Sequence, residues 1–241
     1  MERYIVEMEH INKSFPGVKA LDDVSFCLRA GEVMALLGEN GAGKSTLMKI
    51  LSGVYQKDSG TIHIFGKEVQ DLNPKKAQEL GVAIIHQELN LCGHLTGAEN
   101  IFLGHETMKK GLLSDKEMRL KAKKVLDELN MDISADAVVG DLAVSKQQMI
   151  EIAKALSINA KILIMDEPTS ALTSKEIEDL FVIIRKLTSQ GMGIVYISHR
   201  LEELQHIVDR ITIMRDGKYI TSMDFKDTSL QAIITLSLIH I

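Results

Sequence analysis

The segment Gly38-Glu-Asn-Gly-Ala-Gly-Lys-Ser-Thr46 constrains this chain more than any other stretch of comparable length. It follows an apolar β-type run, Glu32 to Leu37, and opens a run from Lys44 to Leu51 that reads as a helix. Glycines at 38, 41 and 43 let the backbone wrap tightly enough for successive N–H groups to converge, and the helix N-terminus adds its positive dipole end. Such a cradle suits phosphate oxygens, and the strand–loop–helix context is the one a P-loop requires. The whole loop (Gly38, Glu39, Asn40, Gly41, Ala42, Gly43, Lys44, Ser45, Thr46) is therefore a candidate ATP-binding element. Lys44 is expected to reach the β- and γ-phosphates, the Ser45 hydroxyl to ligate Mg²⁺, and Thr46 to assist near the α-phosphate.

Around this loop, short β-type runs bounded by turn residues alternate with helical patterns, the mark of an α/β fold on a largely parallel sheet. Strands are predicted at Tyr4 to His10, Val24 to Leu28, Glu32 to Leu37, Thr61 to Phe65, Val82 to Ile85, Lys161 to Met165, Ile194 to Ile197 and Arg210 to Met214. Gly53 is placed to end the helix that begins at Lys44, and Pro74 to begin another. From about Thr96 to Ile158 the apolar spacing turns helical, with Met118, Val125, Leu126 and Leu129 on one face and Met149, Ile150, Ala153 and Leu156 on another. Helical stretches also surround Glu176 to Leu187 and Leu201 to Val208. The expected organisation is one domain over 1–235, a core of about 1–88 and 159–235 with a helical subdomain of about 89–158 inserted.

A second chemical element is Lys161-Ile-Leu-Ile-Met-Asp166-Glu167, an apolar buried strand ending in two acids. Beside a P-loop these acids have separable tasks. Asp166 would hold Mg²⁺ or a water in its shell, and Glu167 would orient and deprotonate the water attacking the γ-phosphate. Gln87 and His199 each follow a predicted strand, at the edge where open α/β sheets bind ligands.

Composition narrows the class. The formal net charge of −5 disfavours a nucleic-acid partner, which calls for clustered Lys and Arg. The longest apolar runs fall far short of a membrane span, and the acidic residues Glu2, Glu7 and Glu9 are unlike a secretory leader. Cys27 and Cys92 are the only cysteines and form no Cys-x-x-Cys pair, so a reduced, cytoplasmic setting without structural zinc is expected.

The P-loop, Gln87, Asp166-Glu167-Pro168-Thr169-Ser170 and Ile197-Ser198-His199, in that order around a helical insertion, resemble the ABC ATPase family. The resemblance implies a P-loop NTPase (RecA-like) core with an N-terminal antiparallel β subdomain and an inserted α-helical subdomain. Phe15-Pro-Gly-Val-Lys-Ala-Leu21, His86-Gln-Glu-Leu-Asn90, Gln148-Met-Ile-Glu-Ile-Ala-Lys154 and Gly193-Ile-Val-Tyr-Ile-Ser-His199 are similar to the first module of tandem sugar-import ATPases of ribose and galactose type. By that resemblance Phe15 stacks on adenine, Gln87 links the γ-phosphate and Mg²⁺ to a membrane permease docked on the region after it, and His199 contacts the γ-phosphate. An external sugar-binding protein would deliver the substrate, and the chain would sit peripherally on the cytoplasmic face of the membrane. One departure stands out: the family's Leu-Ser-Gly-Gly-Gln signature appears as Leu142-Ala143-Val144-Ser145-Lys146, and Ala143 has no hydroxyl. A second module would then supply the competent signature. Thr173 stands where many relatives carry an aspartate.

Two other readings stay open at this point: a soluble ABC ATPase acting on the ribosome or nucleic acid, and a non-hydrolysing nucleotide-binding switch. The terminal Leu236-Ser-Leu-Ile-His-Ile241 resembles a translated library adapter and is expected to be a non-native tail left by truncation.

Overall fold

The computed structural model describes residues 4–109, 112–228, 231–233 and 235; the expectation for the tail at 236–241 lies outside them. The chain opens with two long strands, β1 (Tyr4–Phe15) and β2 (Val18–Arg29), then β3 (Val33–Leu37), α1 (Lys44–Leu51), β4 (Ser59–Ile64), β5 (Lys67–Glu68), α2 (Pro74–Glu79) and β6 (Val82–Ile85). The middle carries α3 (Gly97–Phe102), the short pair β7 (Met108–Lys109) and β8 (Leu112–Leu113), α4 (Asp115–Glu128) and α5 (Val144–Ser157). The last third runs β9 (Ile162–Asp166), α6 (Ser174–Ser189), β10 (Gly193–Ile197), α7 (Leu201–Ile207), β11 (Arg210–Arg215) and β12 (Lys218–Asp224).

These strands form a four-stranded sheet ordered β2-β1-β4-β5 and a six-stranded sheet ordered β12-β11-β3-β10-β9-β6. In the first sheet all pairings are antiparallel, whereas in the second β11, β3, β10, β9 and β6 run parallel and only β12 is reversed. The Ala30-Gly31 turn does not close a hairpin: β2 stays in the antiparallel sheet, and Gly31, at φ 72°, passes the chain into the centre of the parallel one. β1 continues to Phe15 beyond its expected stop at His10. That residue takes φ 54° and the register shifts between Met8 and Ile11, so the strand bulges there instead of ending.

Strand alternation divides the core into two apolar layers. Val33, Ala35 and Leu37 of β3, Leu163 and Met165 of β9, and Ile194 and Tyr196 of β10 point to one face, where they pack in a continuous cluster with Ala98, Ile101, Met118, Leu126, Ile150, Ile152 and Ala153 from the central helices. Met34 and Leu36, Ile162 and Ile164, and Val195 and Ile197 point the other way, onto Leu47, Met48 and Leu51 of α1 and Val6, Leu21 and Ile62 of the antiparallel sheet. A parallel sheet covered on both faces explains why these strands read as unbroken apolar runs.

The amino ends of β3 and β11 are cross-linked by polar groups. Glu32 and Arg210 form a buried ion pair at 3.1 Å, Asp209 Oδ2 accepts from the Val33 N–H at 2.8 Å, and the Arg210 Nη2 reaches Cys27 Sγ at 3.5 Å and Ser222 Oγ at 3.3 Å. Burial pushes the Glu32 carboxyl above its ordinary range even with the Arg29 N–H and Arg210 beside it. The helix ends carry local caps: Asn73 accepts from the Lys76 N–H at 3.0 Å, and Thr96 and Glu99 form a capping box.

Ile164 is fully buried in β9 between these layers. Ile164→Ala is expected to lower unfolding stability by about 2–5 kcal/mol, as for cavity-forming truncations, measured by urea denaturation.

Candidate functional site

Parallel register gathers the site. Ile197 of β10 pairs with Leu36 on one side and Asp166 on the other, and Ile85 of β6 pairs with Met165. The loops leaving these strands therefore emerge along one edge and bring Gly38–Thr46, Glu167, Ser198–His199 and Gln87 together. A cleft of about 530 Å³ opens there, lined by Asn40, Gly41, Ala42, Gly43, Lys44, Ser45, Thr46, Gln87, Asp166 and Glu167 from the expected set.

The P-loop geometry requires glycine at two positions. Gly38 lies at φ 149°, and a Cβ there would come within 2.2 Å of the Met214 carbonyl; Gly43 lies at φ 96°, and a Cβ would meet the Ala20 carbonyl at 2.7 Å and Leu21 at 2.8 Å. Gly43 is also the N-cap of α1 and has no side chain to cap it. The first N–H groups of a helix have no partner inside it, so the first turn of α1 offers donors and a dipole to the cleft. The Lys44 ammonium bridges the loop, donating to the carbonyls of Gly38 at 2.7 Å and Glu39 at 2.9 Å. Burial lowers its pKa, opposed by the charges of Asp166 and Glu167.

Glu167 is held from both sides. The Gln87 side-chain amide donates to Glu167 Oε2 at 3.0 Å, and His199 Nδ1 lies 3.1 Å from Glu167 Oε1. The backbone of Glu167 is left-handed at φ 49°, with its N–H donating to the Ile197 carbonyl at 2.9 Å. A non-glycine residue in that region carries local backbone strain. The adjacent Asp166 carboxyl is raised above its ordinary range, first by burial and then by the charge of Glu167, with His86, Lys44 and Lys49 pulling the other way.

The donor set fits Mg²⁺. Among the described residues no three or more His, Cys, Asp or Glu side chains form a metal cluster. Mg²⁺ does not need one, since it is bound through one or two carboxylates with substrate phosphates and water completing the shell. The cleft offers the Asp166 carboxylate, whose unfavourable buried charge a cation would relieve, and the Ser45 hydroxyl. The Gln87 amide group is turned to Glu167.

Four expected residues lie outside the cleft lining: Gly38 and Glu39 at the start of the loop, Phe15 and His199. Half-buried Phe15 ends β1 and meets the Tyr55 ring edge-on at 5.3 Å between centroids, while Val18, Lys19 and Ala20 form the cleft wall beyond the Pro16-Gly17 turn. His199 lies beside Glu167 Oε1, with a side chain 69% exposed. Ala143, at the departure from the signature, is the N-cap of α5, and Thr173 is the N-cap of α6.

Several site residues escape periodicity. Asp216-Gly217 lines the cleft from the hairpin between β11 and β12, where both residues have positive φ. Asp-Gly between two β-type runs is the signal that would have revealed it. Glu151 of α5 is buried, and its Oε1 accepts from the Asn90 N–H at 2.9 Å, fastening the segment after Gln87 to the central helices. Nothing in its amphipathic context marks that role.

An edge of parallel strands carrying a glycine cradle, a lysine and paired acids defines a P-loop nucleotide-binding α/β protein. The match of residues 21–170 to the ABC transporter family model narrows this: the chain belongs to the ABC transporter family. It is 55% identical over 96% of its length to a protein of Agrobacterium fabrum named a ribose/galactose/methyl galactoside import ATP-binding protein, and 52% identical over 96% to the ribose import ATP-binding protein RbsA of Halalkalibacterium halodurans. The chain spans about half of these relatives, 46% and 47% of their lengths. Its fold is that of an ATP-binding cassette from an ABC transporter solved in its ADP conformation, with a TM-score of 0.85 and 28% identity over 98% of this chain and 96% of that one. A dimeric bacterial ABC transporter cassette is similar at a TM-score of 0.77 and 26% identity, over 91% of this chain and 98% of that one.

Burial raises the Glu151 carboxyl above its ordinary value of 4.5, with Lys154, the Asn90 N–H and His86 opposing. A raised folded-state value means that this group's contribution to stability is present below the unfolded value and lost as pH rises through the folded one. Glu151→Gln keeps an acceptor for Asn90 and removes the penalty. It is expected to be at least as stable as wild type at neutral pH, with the difference closing toward pH 4.5, followed as urea midpoints across pH.

Proposed function

We propose that this chain binds Mg-ATP and hydrolyses it to ADP and phosphate as the first nucleotide-binding module of an importer for a monosaccharide of the ribose or galactose class. The observation that carries the catalytic part is the Glu167 carboxylate held between Gln87 and His199 beside the Lys44 cleft. The sugar class is supported by relatives named for ribose and galactose import, and the single-module reading by the chain's 46% share of one such relative.

In this reading the loop amides and Lys44 bind the phosphates, and Glu167 accepts a proton from the attacking water while Gln87 and His199 fix its carboxylate. The Glu167 strain and its two side-chain contacts hold the base in place before substrate arrives, which favours reaction through positioning. Ser45 and Asp166, with Gln87 close by, would hold Mg²⁺, which would supply charge neutralisation on the phosphates. His199 Nε2, the ring nitrogen not turned to Glu167, would face the γ-phosphate. Phe15 would stack on adenine from beyond the Val18 wall.

The chain would act as one domain over 1–235, with the helical part at about 89–158 and the core on either side. No described helix is long and apolar enough to cross a membrane, so association with the cytoplasmic face would run through permease subunits docked after Gln87. The external sugar-binding protein would act indirectly, and nucleic acid has no part. The Glu151–Asn90 bond would carry motion between the permease surface and the signature helix α5. Ala143 deprives that helix of the signature hydroxyl, so the second module must provide it. The same substitution also favours a nucleotide-binding switch as the alternative, and phosphate release on adding the second module separates the two.

Lys44→Ala is expected to weaken Mg-ATP binding by about ten- to a hundredfold, from loss of charge-assisted hydrogen bonds, in equilibrium titration. Glu167→Gln is expected to keep that affinity while slowing turnover by about 10²–10⁴-fold, the range for removing a general base. Equal hydrolysis by the variant and wild type would remove Glu167 from its role.

The purified chain alone is expected to hydrolyse ATP slowly and without cooperativity, because any homodimer would pair sound P-loops with Ala143. Steady-state phosphate release against protein concentration checks this, and a steep, cooperative rise would contradict it.

A further inference from the structure

Behind the Glu167–His199 pair lies a second carboxylate, Glu203 of α7, only 7% exposed. Its Oε2 accepts from the hydroxyls of Thr169 at 2.8 Å, Tyr196 at 2.9 Å and Ser198 at 3.4 Å, and its Oε1 faces Arg200 Nη1 at 3.4 Å. Arg200 closes the network, donating from Nη1 to the Thr169 carbonyl at 3.2 Å and from its backbone N–H to Ser198 Oγ at 3.0 Å. The partners come from separate parts of the chain. Thr169 belongs to the loop that carries Glu167, Ser198 directly precedes His199, and Tyr196 lies in β10 between them.

A buried carboxylate is costly unless its lone pairs are filled, and an apolar side chain would occupy the same space more cheaply. What the carboxylate adds is direction: one oxygen orients hydroxyls from two loops and a strand, and the other holds the guanidinium that also grips the Thr169 carbonyl. Burial, with Glu203 beside it, holds the Tyr196 phenol well above its ordinary pKa, so that hydroxyl remains a donor. Satisfied networks of this kind rigidify the segments they join.

We propose that Glu203 is a positioning residue for hydrolysis, setting the separation and orientation of Glu167 and His199 from beneath without touching substrate. This rests on the roles given above to Glu167 and His199. Glutamine cannot replace it, because an amide placed to serve the hydroxyls with its oxygen turns its own N–H groups toward Arg200. Thr169→Val is the milder break, since it removes the hydroxyl bond to the Glu167 loop while leaving Arg200 on the Thr169 carbonyl and Glu203 with Tyr196, Ser198 and Arg200.

Two measurements on Glu203→Gln and Thr169→Val test this. In hydrogen exchange, both variants are expected to speed exchange at the amides of Glu167, Thr169, Ser170 and 198–200 and leave 38–46 unchanged. A uniform rise across the parallel sheet would give Glu203 a purely structural role and overturn the inference. In single-turnover assays with the second module supplied, both are expected to hold Mg-ATP affinity within about twofold and lose about ten- to a hundredfold in rate, the scale of a small misplacement of reacting groups. The Glu203→Gln loss should shrink in a His199→Ala background, because part of it runs through His199, and full additivity there would overturn the inference. His199→Ala at the wild-type rate would defeat the reading of His199 itself, whereas an impaired His199→Ala beside an unimpaired Glu203→Gln would defeat this inference alone.

Discussion

Ile197 hydrogen-bonds into register with Leu36 on one flank and Asp166 on the other, and the position of everything chemical in this molecule follows from that alignment. Parallel strands in register end at one level, and the loops that leave them share one edge. Gly38 leaves β3, Glu167 leaves β9, His199 leaves β10 and Gln87 leaves β6, so four segments far apart in sequence become neighbours without a contact of their own to assemble them. The side-chain bonds from Gln87 and His199 to Glu167 then need only to refine what the backbone has arranged.

Much of this edge was legible because its requirements are local. A glycine whose Cβ would strike the Met214 carbonyl, or an acid at the tip of an apolar strand, reports its surroundings through residue type alone. The central parallel strands β3, β9 and β10, buried on both faces, also read clearly as apolar runs, and the termini of β6 and α1 fall where the pattern puts them. What stays hidden depends on partners remote in sequence. Glu151 looks like a solvent residue of an amphipathic helix until Asn90 is brought to it, and Glu203 looks like one of two interchangeable acids until Thr169 and Tyr196 converge on it. The destination of β2 is hidden for the same reason. A turn at Ala30-Gly31 is visible, but whether it joins partners in one sheet or passes between two is decided by Val6 and Leu21 on one side and Ile197 on the other.

Charge in the site is arranged against the folded state's own preference. Asp166 is raised by burial and by Glu167, and Lys44 is lowered by burial, so each charge is less favourable there than in water. Acid and lysine offset one another only in part. A ligand carrying several negative oxygens and a divalent cation would meet both demands, which places binding energy and local instability at the same few atoms.

The opposite edge of the sheet is built differently. There Arg210 reaches Glu32, Cys27 and Ser222, and Asp209 holds the start of β3, so the antiparallel sheet, the central strand and the final hairpin are riveted together through buried charge. One rim is thus joined through a buried ion pair, and at the other the loops meet around the cleft. Damage at the riveted rim should surface as misfolding and damage at the cleft rim as idle but well-folded protein, so the assay a substitution fails reveals which rim it struck.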